Sequence, residues 1–347
     1  MLAKKQLAAA AALGGLLCAN GAQAYQLNDD VQLKLKIYTD LLFHSGDTAN
    51  IESKDGVRFR RAYLTVKGRL SDRAKVRLTL DQKSLTHEET RSITDSGNDT
   101  ASVQVPGQDK VFVKYVYLDY AVAPQATVRF GQGGTPYVGF DEDHLWRYRW
   151  IAKSFTDEWG LQTSSDLGLS LLGRAGGLRY QISFLDGEGY QHTPDGNGFA
   201  FAGRADFAPL PGLLVGAWFH NESQRNGVSG YDPSRVGVFV RFERGIVRAS
   251  AQYAVADDGS NTSKFNNGKG YNVQGDVALG PGKLVLRWDS MDAKDNGADD
   301  TLLLGGYAFK LTKGVDLAIV GRQDTNKEPN QPDVTDSSYG LIAQVKL

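Results

Sequence analysis

Three things are scarce in this 347-residue sequence: cysteine, long apolar runs and an excess of charge of either sign. The single cysteine excludes a disulfide framework and any metal site built from several thiolates. Thirty-nine basic and 40 acidic side chains exclude the strongly basic surface of a nucleic-acid-binding domain. A mean hydropathy of −0.36 excludes a bundle of membrane-spanning helices. A membrane β-barrel remains compatible with these values, because only every second residue of its strands faces lipid.

The longest apolar run lies at the N-terminus and is organised like an export signal. Two lysines precede the apolar residues 7–19, and Ala22-Gln23-Ala24 supplies the small residues of a cleavage site. The run is too short to span a bilayer. The sequence therefore predicts a signal peptide over residues 1–24, cleaved after Ala24, and an exported chain of residues 25–347.

Beyond this segment, apolar and polar side chains alternate with a period of two, which is typical of β-strands. No window carries a helical spacing of useful length. The alternating runs predict sixteen strands. Their approximate ranges are 31–43, 57–69, 73–83, 111–122, 125–133, 166–174, 177–186, 198–207, 212–222, 234–243, 245–256, 269–279, 283–292, 300–311, 315–324 and 337–347.

The connections between these runs alternate strictly between short and long. This order is typical of a barrel with tight turns on one rim and large loops on the other. We therefore predict an all-β fold, a transmembrane up-and-down antiparallel β-barrel of about sixteen strands. The barrel would form a single domain over residues 25–347, with short periplasmic turns and long extracellular loops.

The apolar parity of each strand predicts the side that faces lipid. Away from strand ends this parity carries no charge, and a lysine or arginine at the bilayer midplane costs about 2–4 kcal/mol. Two exceptions occur. Arg58 and Arg60 share the parity of apolar neighbours, which predicts a β-bulge or a late strand start, and the run 111–122 has no clear parity. A soluble sandwich with a dry core is the alternative.

The opposite parity predicts a charged, water-filled interior. It carries more basic than acidic side chains, and a positive lining attracts anions. We therefore expect a channel with a mild preference for anions. The residues predicted to line its pore are Arg61, Lys75, Arg77, Arg129, Arg179, Arg204, Arg241, Arg248, Arg287 and Arg322.

The longest predicted connection, residues 134–165, is expected to fold into the pore. The stretch Gly133-Gly134-Thr135-Pro136 permits a sharp reversal of the chain, and long loops in compact folds are usually functional. Opposed acidic and basic side chains would set a transverse field at a constriction. The charged residues predicted there are Asp141, Glu142, Asp143, Arg147, Arg149 and Lys153.

Other chemistry has little support in the sequence. The five histidines lack metal-ligand spacing, and neither a nucleophile elbow nor a dinucleotide fingerprint is present. We predict no enzyme activity, no cofactor and no metal. A hydrolase built on His144 with Ser164 or Ser165 is the enzymatic alternative. The non-enzymatic alternative is a barrel that encloses a periplasmic or electron-transfer protein partner.

Seven short motifs stand between residues 57 and 215. They are 57–64 (VRFRRAYL), 117–120 (YLDY), 128–132 (VRFGQ), 166–171 (DLGLSL), 184–189 (FLDGEG), 202–204 (AGR) and 207–212 (FAPLPG). Together they resemble the phosphate-selective porin O and P family of Gram-negative outer membranes. The resemblance implies a passive, homotrimeric outer-membrane channel in contact with lipid and lipopolysaccharide. The family clusters lysines at its constriction, whereas the long loop here offers only Lys153. Phosphate selectivity is therefore not predicted.

Overall fold

The computed structural model describes residues 25–46, 55–83, 89–94, 100–105, 110–191, 198–223, 232–257, 268–293, 299–329 and 331–347. The predicted signal peptide, residues 1–24, lies outside this described part. Its cleavage after Ala24 therefore stays a prediction.

The described residues form nineteen strands. Their bounds are β1 Tyr25–Asn28, β2 Val31–Gly46, β3 Gly56–Arg69, β4 Ala74–Lys83, β5 Glu89–Thr94, β6 Thr100–Val105, β7 Lys110–Ala123, β8 Ala126–Gly134, β9 Ser165–Ala175, β10 Leu178–Leu185, β11 Phe199–Leu210, β12 Leu213–Ser223, β13 Ser234–Arg244, β14 Val247–Asp257, β15 Gly268–Leu279, β16 Gly282–Ala293, β17 Asp299–Thr312, β18 Val315–Lys327 and β19 Val334–Lys346.

Sixteen of these strands, β2–β4 and β7–β19, close into an antiparallel barrel. Each pairs with its neighbour in the chain, β4 pairs with β7, and β19 pairs with β2 from Asp336↔Gly46 to Lys346↔Lys36. Each barrel strand falls on one predicted run, so the predicted fold is confirmed. Strand β1 pairs antiparallel with the start of β2. Strands β5 and β6 form a separate hairpin within the connection between β4 and β7.

The two rims of the barrel differ in the length of their connections. Seven connections of two to four residues form one rim, which we call the turn rim. Eight connections of five to thirty residues form the other, which we call the loop rim. In the described chain, helix is confined to short turns at Val138–Phe140, Asp141–Leu145 and Phe155–Glu158. Among the described residues, none of the helical segments has the length and apolar composition of a membrane span.

The β-bulge predicted in the second barrel strand is confirmed. Successive residues Tyr38 and Thr39 of β2 pair with the residues on either side of Arg60, which is therefore an extra residue of β3. The bulge reverses the parity of the strand, so that charged side chains point inward. Arg58 donates a hydrogen bond from Nε to Asp40 Oδ1 at 3.0 Å, and the carboxylate of Asp40 is buried.

A second bulge explains the unclear parity of the run 111–122. In the pairing of β4 with β7, Thr79 pairs with Tyr115 and Leu80 with Val113, which leaves Lys114 as the extra residue. The side chain of Lys114 is buried inside the barrel, whereas Val113 is exposed on the outside. The residues on either side of the bulge therefore follow opposite parities.

The outward face of the barrel is an exposed apolar belt. Phe130, Val238 and Ile319 are 67%, 53% and 60% exposed, although a sandwich would bury them in a dry core. The sandwich alternative is therefore wrong. In the described strands, charged residues on this parity stand only at strand ends, as at Arg244 and Asp292.

The apolar core lies inside the barrel, between its wall and the connection from β8 to β9. We call this connection, residues 135–164, the inner loop. Its first cluster places Trp146, Trp150 and Ile151 against inward side chains of β2 and β16–β19. Its second cluster places Tyr137 and Phe155 against β12–β14 and β16. Burial stabilises each of these side chains by about 1.5–3 kcal/mol.

Candidate functional site

The inner loop covers one side of the lumen and leaves the opposite side open. The open space is a cavity of about 500 Å3 beside the walls of β2–β4 and β7–β11. A second cavity of about 410 Å3 at the turn rim shares Lys67, Arg77 and Tyr117 with it, so the two cavities adjoin. We call the two adjoining cavities the candidate channel.

Basic side chains dominate the lining of the larger cavity. The cavity is lined by nine basic residues and two acidic ones. The basic residues are Lys34, Lys36, Lys67, Arg77, Lys114, Arg129, Arg149, Arg179 and Arg204, and the acidic residues are Glu142 and Asp143. Asp119, Asp157 and Asp206, outside this lining, pair with four of the arginines, and the remaining excess of charge around the cavity is positive.

Five of the predicted pore residues lie on the candidate channel. Arg77, Arg129, Arg179 and Arg204 line the larger cavity, and Lys75 lines the cavity at the turn rim. All five stand on the inward parity of their strands, and Arg179 and Arg204 also contact the inner loop.

Two further predicted residues lie beneath the inner loop. The side chains of Arg248 and Arg287 are 4% and 0% exposed. Arg248 donates from Nε to Asp276 at 2.6 Å, and Arg287 donates from Nε to Asp289 at 2.9 Å. Inward parity alone does not separate these covered arginines from the arginines of the open wall.

The remaining three predicted pore residues are held in ion pairs. Arg61 donates to Asp81 at 3.0 Å. Arg241 lies 3.7 Å from Glu243. Arg322 lies in a separate recess at the loop rim, where it donates to Glu158 at 2.8 Å.

Four arginines of the wall hold the backbone of the inner loop. Arg60 Nη1 donates to the carbonyl oxygens of Trp150 and Ile151 at 3.0 and 3.1 Å. The other three bonds have the same form and are Arg204 to Pro136 O at 3.1 Å, Arg241 to His144 O at 3.2 Å, and Arg287 to Lys153 O. Charge-assisted bonds of this kind stabilise a fold by about 1.5–3 kcal/mol each.

The residues predicted for the constriction loop divide between the cavity and its surroundings. Glu142, Asp143 and Arg149 line the cavity, and Arg149 donates from Nε to Glu142 at 2.7 Å. Arg147 reaches the turn-rim end of β13, where it pairs with Glu243 at 2.9 Å. The side chain of Lys153 is exposed.

Asp141, the sixth of these residues, is fully buried between the inner loop and the barrel wall. One carboxylate oxygen accepts a hydrogen bond from Gln252 Nε2 at 3.2 Å, and the other has no hydrogen-bond partner in the described chain. Burial raises the pKa of Asp141 to about 7, although the charge of Arg287 opposes this shift. The carboxyl group therefore titrates near neutral pH.

His144 lies on the inner loop between an aromatic ring and an arginine. Its ring stacks on Phe140 with centroids 4.4 Å apart, and Arg179 Nη1 lies 3.1 Å from its Nε2. Burial and the charge of Arg179 lower the pKa of His144 to about 4. The imidazole is therefore neutral at pH 7 and accepts a hydrogen bond from the guanidinium.

The side chains of His144 and Ser165, from the alternative hydrolase site, form hydrogen bonds with other groups and not with each other. Besides Arg179, the imidazole of His144 contacts the carbonyl oxygen of Phe140 through Nδ1 at 3.1 Å. The hydroxyl of Ser165 donates to the carbonyl oxygen of Lys114. In the described chain, no group of three or more His, Cys, Asp or Glu residues is arranged to hold a metal ion.

Sequence reasoning missed Lys114 as a residue of the channel and the arginine at the bulge of β3 as a support of the inner loop. The loss of alternation in the run 111–122 was the available signal for Lys114. The sequence also contains a signal for the part of the wall that the inner loop covers. Apolar residues such as Trp218, Val285 and Leu304 stand on the inward parity of β12–β19. A wall that faced water would carry polar side chains at these positions.

The channel architecture has counterparts among solved structures. An anion-selective porin from Comamonas acidovorans matches with a TM-score of 0.64 and 13% identity, over 91% of this chain and 99% of that one. OprB of Pseudomonas putida matches with a TM-score of 0.65 and 12% identity, over 94% and 99%. OmpT of Vibrio cholerae, in its trimer form, matches with a TM-score of 0.59 and 13% identity, over 91% and 99%. At these identities the likeness shows the fold alone.

The sequence itself carries a family match. The profile of the phosphate-selective porin O and P family matches residues 31–311. No curated protein matches the chain. A sixteen-strand barrel with an apolar outer belt and a charged interior supports a channel of the outer membrane. The chain belongs to the phosphate-selective porin O and P family.

Proposed function

We propose that this protein is a porin through which small hydrophilic solutes diffuse passively, with a mild preference for anions. The proposal rests on one observation, the nine basic and two acidic side chains around the larger cavity. Such a lining concentrates anions and repels cations. The name of the Comamonas acidovorans relative, an anion-selective porin, is in keeping with this proposal.

The experiment is a measurement of reversal potential. The purified protein is placed in a planar bilayer under a KCl gradient. We expect a potential of the sign that anion permeation gives, and a cation-selective sign would overturn the proposal. The matched control is Arg73→Gln, which removes one positive charge from the exposed turn between β3 and β4 and should leave the potential unchanged.

The inner loop is proposed to form the constriction of the pore. Glu142 and Asp143 stand on the loop, and Lys36, Arg77 and Lys114 stand on the walls of the same cavity. Opposed charges across a narrow, water-filled passage set a transverse field that orders permeating ions. Deletion of the loop is expected to raise single-channel conductance and to lower selectivity.

We further propose a homotrimer in outer-membrane lipid and lipopolysaccharide, formed by residues 25–347 after removal of residues 1–24. The trimer form of the Vibrio cholerae relative supports this assembly. The mass of the detergent-solubilised protein tests the oligomeric state, and N-terminal sequencing of exported protein tests cleavage after Ala24. Detection of monomers alone would contradict the trimer, and a retained signal peptide would contradict cleavage after Ala24.

An open pore fits the interior better than a sleeve around a protein partner. The inner loop already occupies the lumen from β12 round to β2, which leaves the space of a small solute. Conductance of the protein reconstituted alone is the expected result. We also propose that the protein has no catalytic role, and an esterase assay on pure protein should give no activity above the blank.

A further inference from the structure

One wall of the candidate channel alternates aromatic rings with cationic groups. It is formed by Tyr63, Arg77, Lys114, Tyr115, Tyr117 and Arg129 on β3, β4, β7 and β8, and we call it the aromatic–cation wall. All six side chains line the larger cavity. The wall therefore offers a permeating solute both positive charge and ring surface.

The guanidinium groups of this wall lie on tyrosine rings at contact distance. The central carbon of Arg77 is 4.2 Å from the ring centre of Tyr115, and that of Arg129 is 3.9 Å from the ring centre of Tyr117. Arginine is weakly hydrated and stacks on aromatic faces, so these contacts fix its position without removing its charge.

Lys114 stands among three tyrosine rings. Its ammonium nitrogen is 5.1 Å from the ring centre of Tyr63 and 5.7 Å from those of Tyr115 and Tyr190. In the described part of the chain, neither Lys114 nor Arg77 forms a salt bridge, whereas Arg129 is paired with Asp119 at 2.7 and 2.9 Å. Among the described residues, these two positive charges of the wall have no carboxylate within salt-bridge distance.

The opposite side of the cavity repeats the same chemistry. On the inner loop, Phe140 lies with its ring centre 4.0 Å from the guanidinium carbon of Arg204. The nonpolar residues Pro136 and Leu172 line the same cavity. A solute in this space therefore meets rings and cations from both sides.

This arrangement favours one class of anion. Inorganic phosphate is strongly hydrated, and several donors must converge on it to replace its water. Here the cations are separated by rings, and part of the surface of each is covered by an aromatic face. A weakly hydrated anion with a flat ring loses less hydration and gains contact with tyrosine and guanidinium faces. The cavity of about 500 Å3 has room for such a molecule.

We propose that the channel favours aromatic carboxylates over aliphatic carboxylates of similar charge and over inorganic phosphate. This inference rests on the proposed anion-preferring pore and names the class of solute that it takes. The benzoate ion is the simplest member of this class, and acetate is its aliphatic counterpart.

The test compares reversal potentials under bi-ionic conditions at pH 7, with potassium benzoate, acetate or phosphate facing potassium chloride. Benzoate moves more slowly than acetate in water, so a pore that only sieves gives a benzoate-to-acetate permeability ratio below one. We expect a ratio about threefold above the ratio of free mobilities, the size that one exposed cation–aromatic contact supplies. Phosphate is expected to permeate less than either carboxylate.

Variants locate the preference on the wall. Tyr115→Leu and Tyr117→Leu should each lower the benzoate-to-acetate ratio towards the ratio of free mobilities and leave the sign of chloride selectivity unchanged. The matched control is Tyr120→Leu, a change on the outward face of the same strand, which should keep the wild-type ratio. The bi-ionic measurement on the unchanged protein decides the inference even if a variant fails to assemble.

The outcomes separate this inference from the proposed function. A cation-selective pore would overturn the proposed function. An anion-selective pore with a benzoate-to-acetate ratio no higher than the ratio of free mobilities, or with phosphate ahead of benzoate, would overturn the inference alone.

Discussion

Arg60 and Trp150, ninety positions apart in the chain, are joined by a hydrogen bond of 3.0 Å from the guanidinium to the backbone carbonyl. The bond exists because Arg60 is the extra residue of a bulge, which turns its side chain away from lipid. The same nitrogen also reaches the carbonyl of Ile151, and Nε lies 3.4 Å from Asp40. A local irregularity of one strand thus holds the inner loop in place.

The substitution Arg60→Met should loosen the inner loop. It leaves two carbonyl groups without their donor and is expected to cost about 1.5–3 kcal/mol in the free energy of unfolding. Single-channel recordings should show larger open-channel noise and higher mean conductance. The control is Arg73→Met, on the exposed turn between β3 and β4. Equal noise in both variants and the wild type would contradict the role of Arg60.

Neutral pH should weaken the docking of the inner loop through Asp141. Its pKa is about 7 when the loop is docked and 3.8 for the free side chain. The docked state therefore binds the proton more tightly. The stabilisation is full below pH 4 and is lost as the pH rises through 7, with a total of roughly 4 kcal/mol from a shift of about three pKa units.

Asp141→Asn should remove this pH dependence. We expect the variant to be more resistant to denaturant than the wild type at pH 8, with a smaller difference at pH 5. His144, whose pKa falls from 6.5 in the free side chain to about 4, adds a slope of opposite sign between these values in both proteins, so the comparison of variant with wild type at each pH isolates Asp141. Asp143→Asn, on the cavity side of the loop, is the control and should keep the wild-type slope. An unchanged slope in Asp141→Asn would refute the assignment.

Lys114→Gln should reduce anion selectivity. One charge about 8 Å from a permeating ion in a water-like medium contributes about 0.5 kcal/mol, which is roughly a twofold change in the ratio of chloride to potassium permeability. The reversal potential under a KCl gradient measures this ratio. Lys110→Gln, a change at the exposed start of the same strand, should leave the ratio intact. A larger effect from Lys110 than from Lys114 would contradict the placement.

Arg287→Met should destabilise the protein without changing its selectivity. The substitution leaves Asp289 buried beneath the inner loop without its ion-pair partner, which costs about 3–5 kcal/mol in comparable sites. Because Arg287 is covered, the permeability ratio of chloride to potassium should stay at the wild-type value. Unfolding in denaturant and reversal potential together check both parts. A stable variant with lower selectivity would place Arg287 on the ion path instead.

The sequence predicts the strands well because a barrel in lipid imposes a strict period of two. Even the bulge of β3 is visible, since Arg58 and Arg60 stand on an apolar parity that lipid does not tolerate. The bulge at Lys114 is harder to place. Tyr115 and Tyr117, on its C-terminal side, are amphipathic residues that suit either face, so the reversal of parity leaves no sharp mark.

The alternation of residues within a strand does not predict which inward side chains line the cavity and which the inner loop covers. Arg77 and Arg287 both stand on inward parity, yet one lines the cavity and the other is buried in an ion pair. The difference depends on where thirty residues of the inner loop pack, and alternation within a strand contains no such information. The apolar inward residues of β12–β19 contain this information indirectly, because they mark the surface that the inner loop covers.

That covered surface also has a consequence for how the molecule is assembled. Apart from β2 and β3, the strands on which the inner loop packs follow the loop in the chain. A partly built barrel that lacks β12–β19 lacks most of the wall on which the loop's aromatic side chains pack. Closure of the barrel and docking of the inner loop are therefore coupled. The constriction reaches its final width only when the last strands have been added.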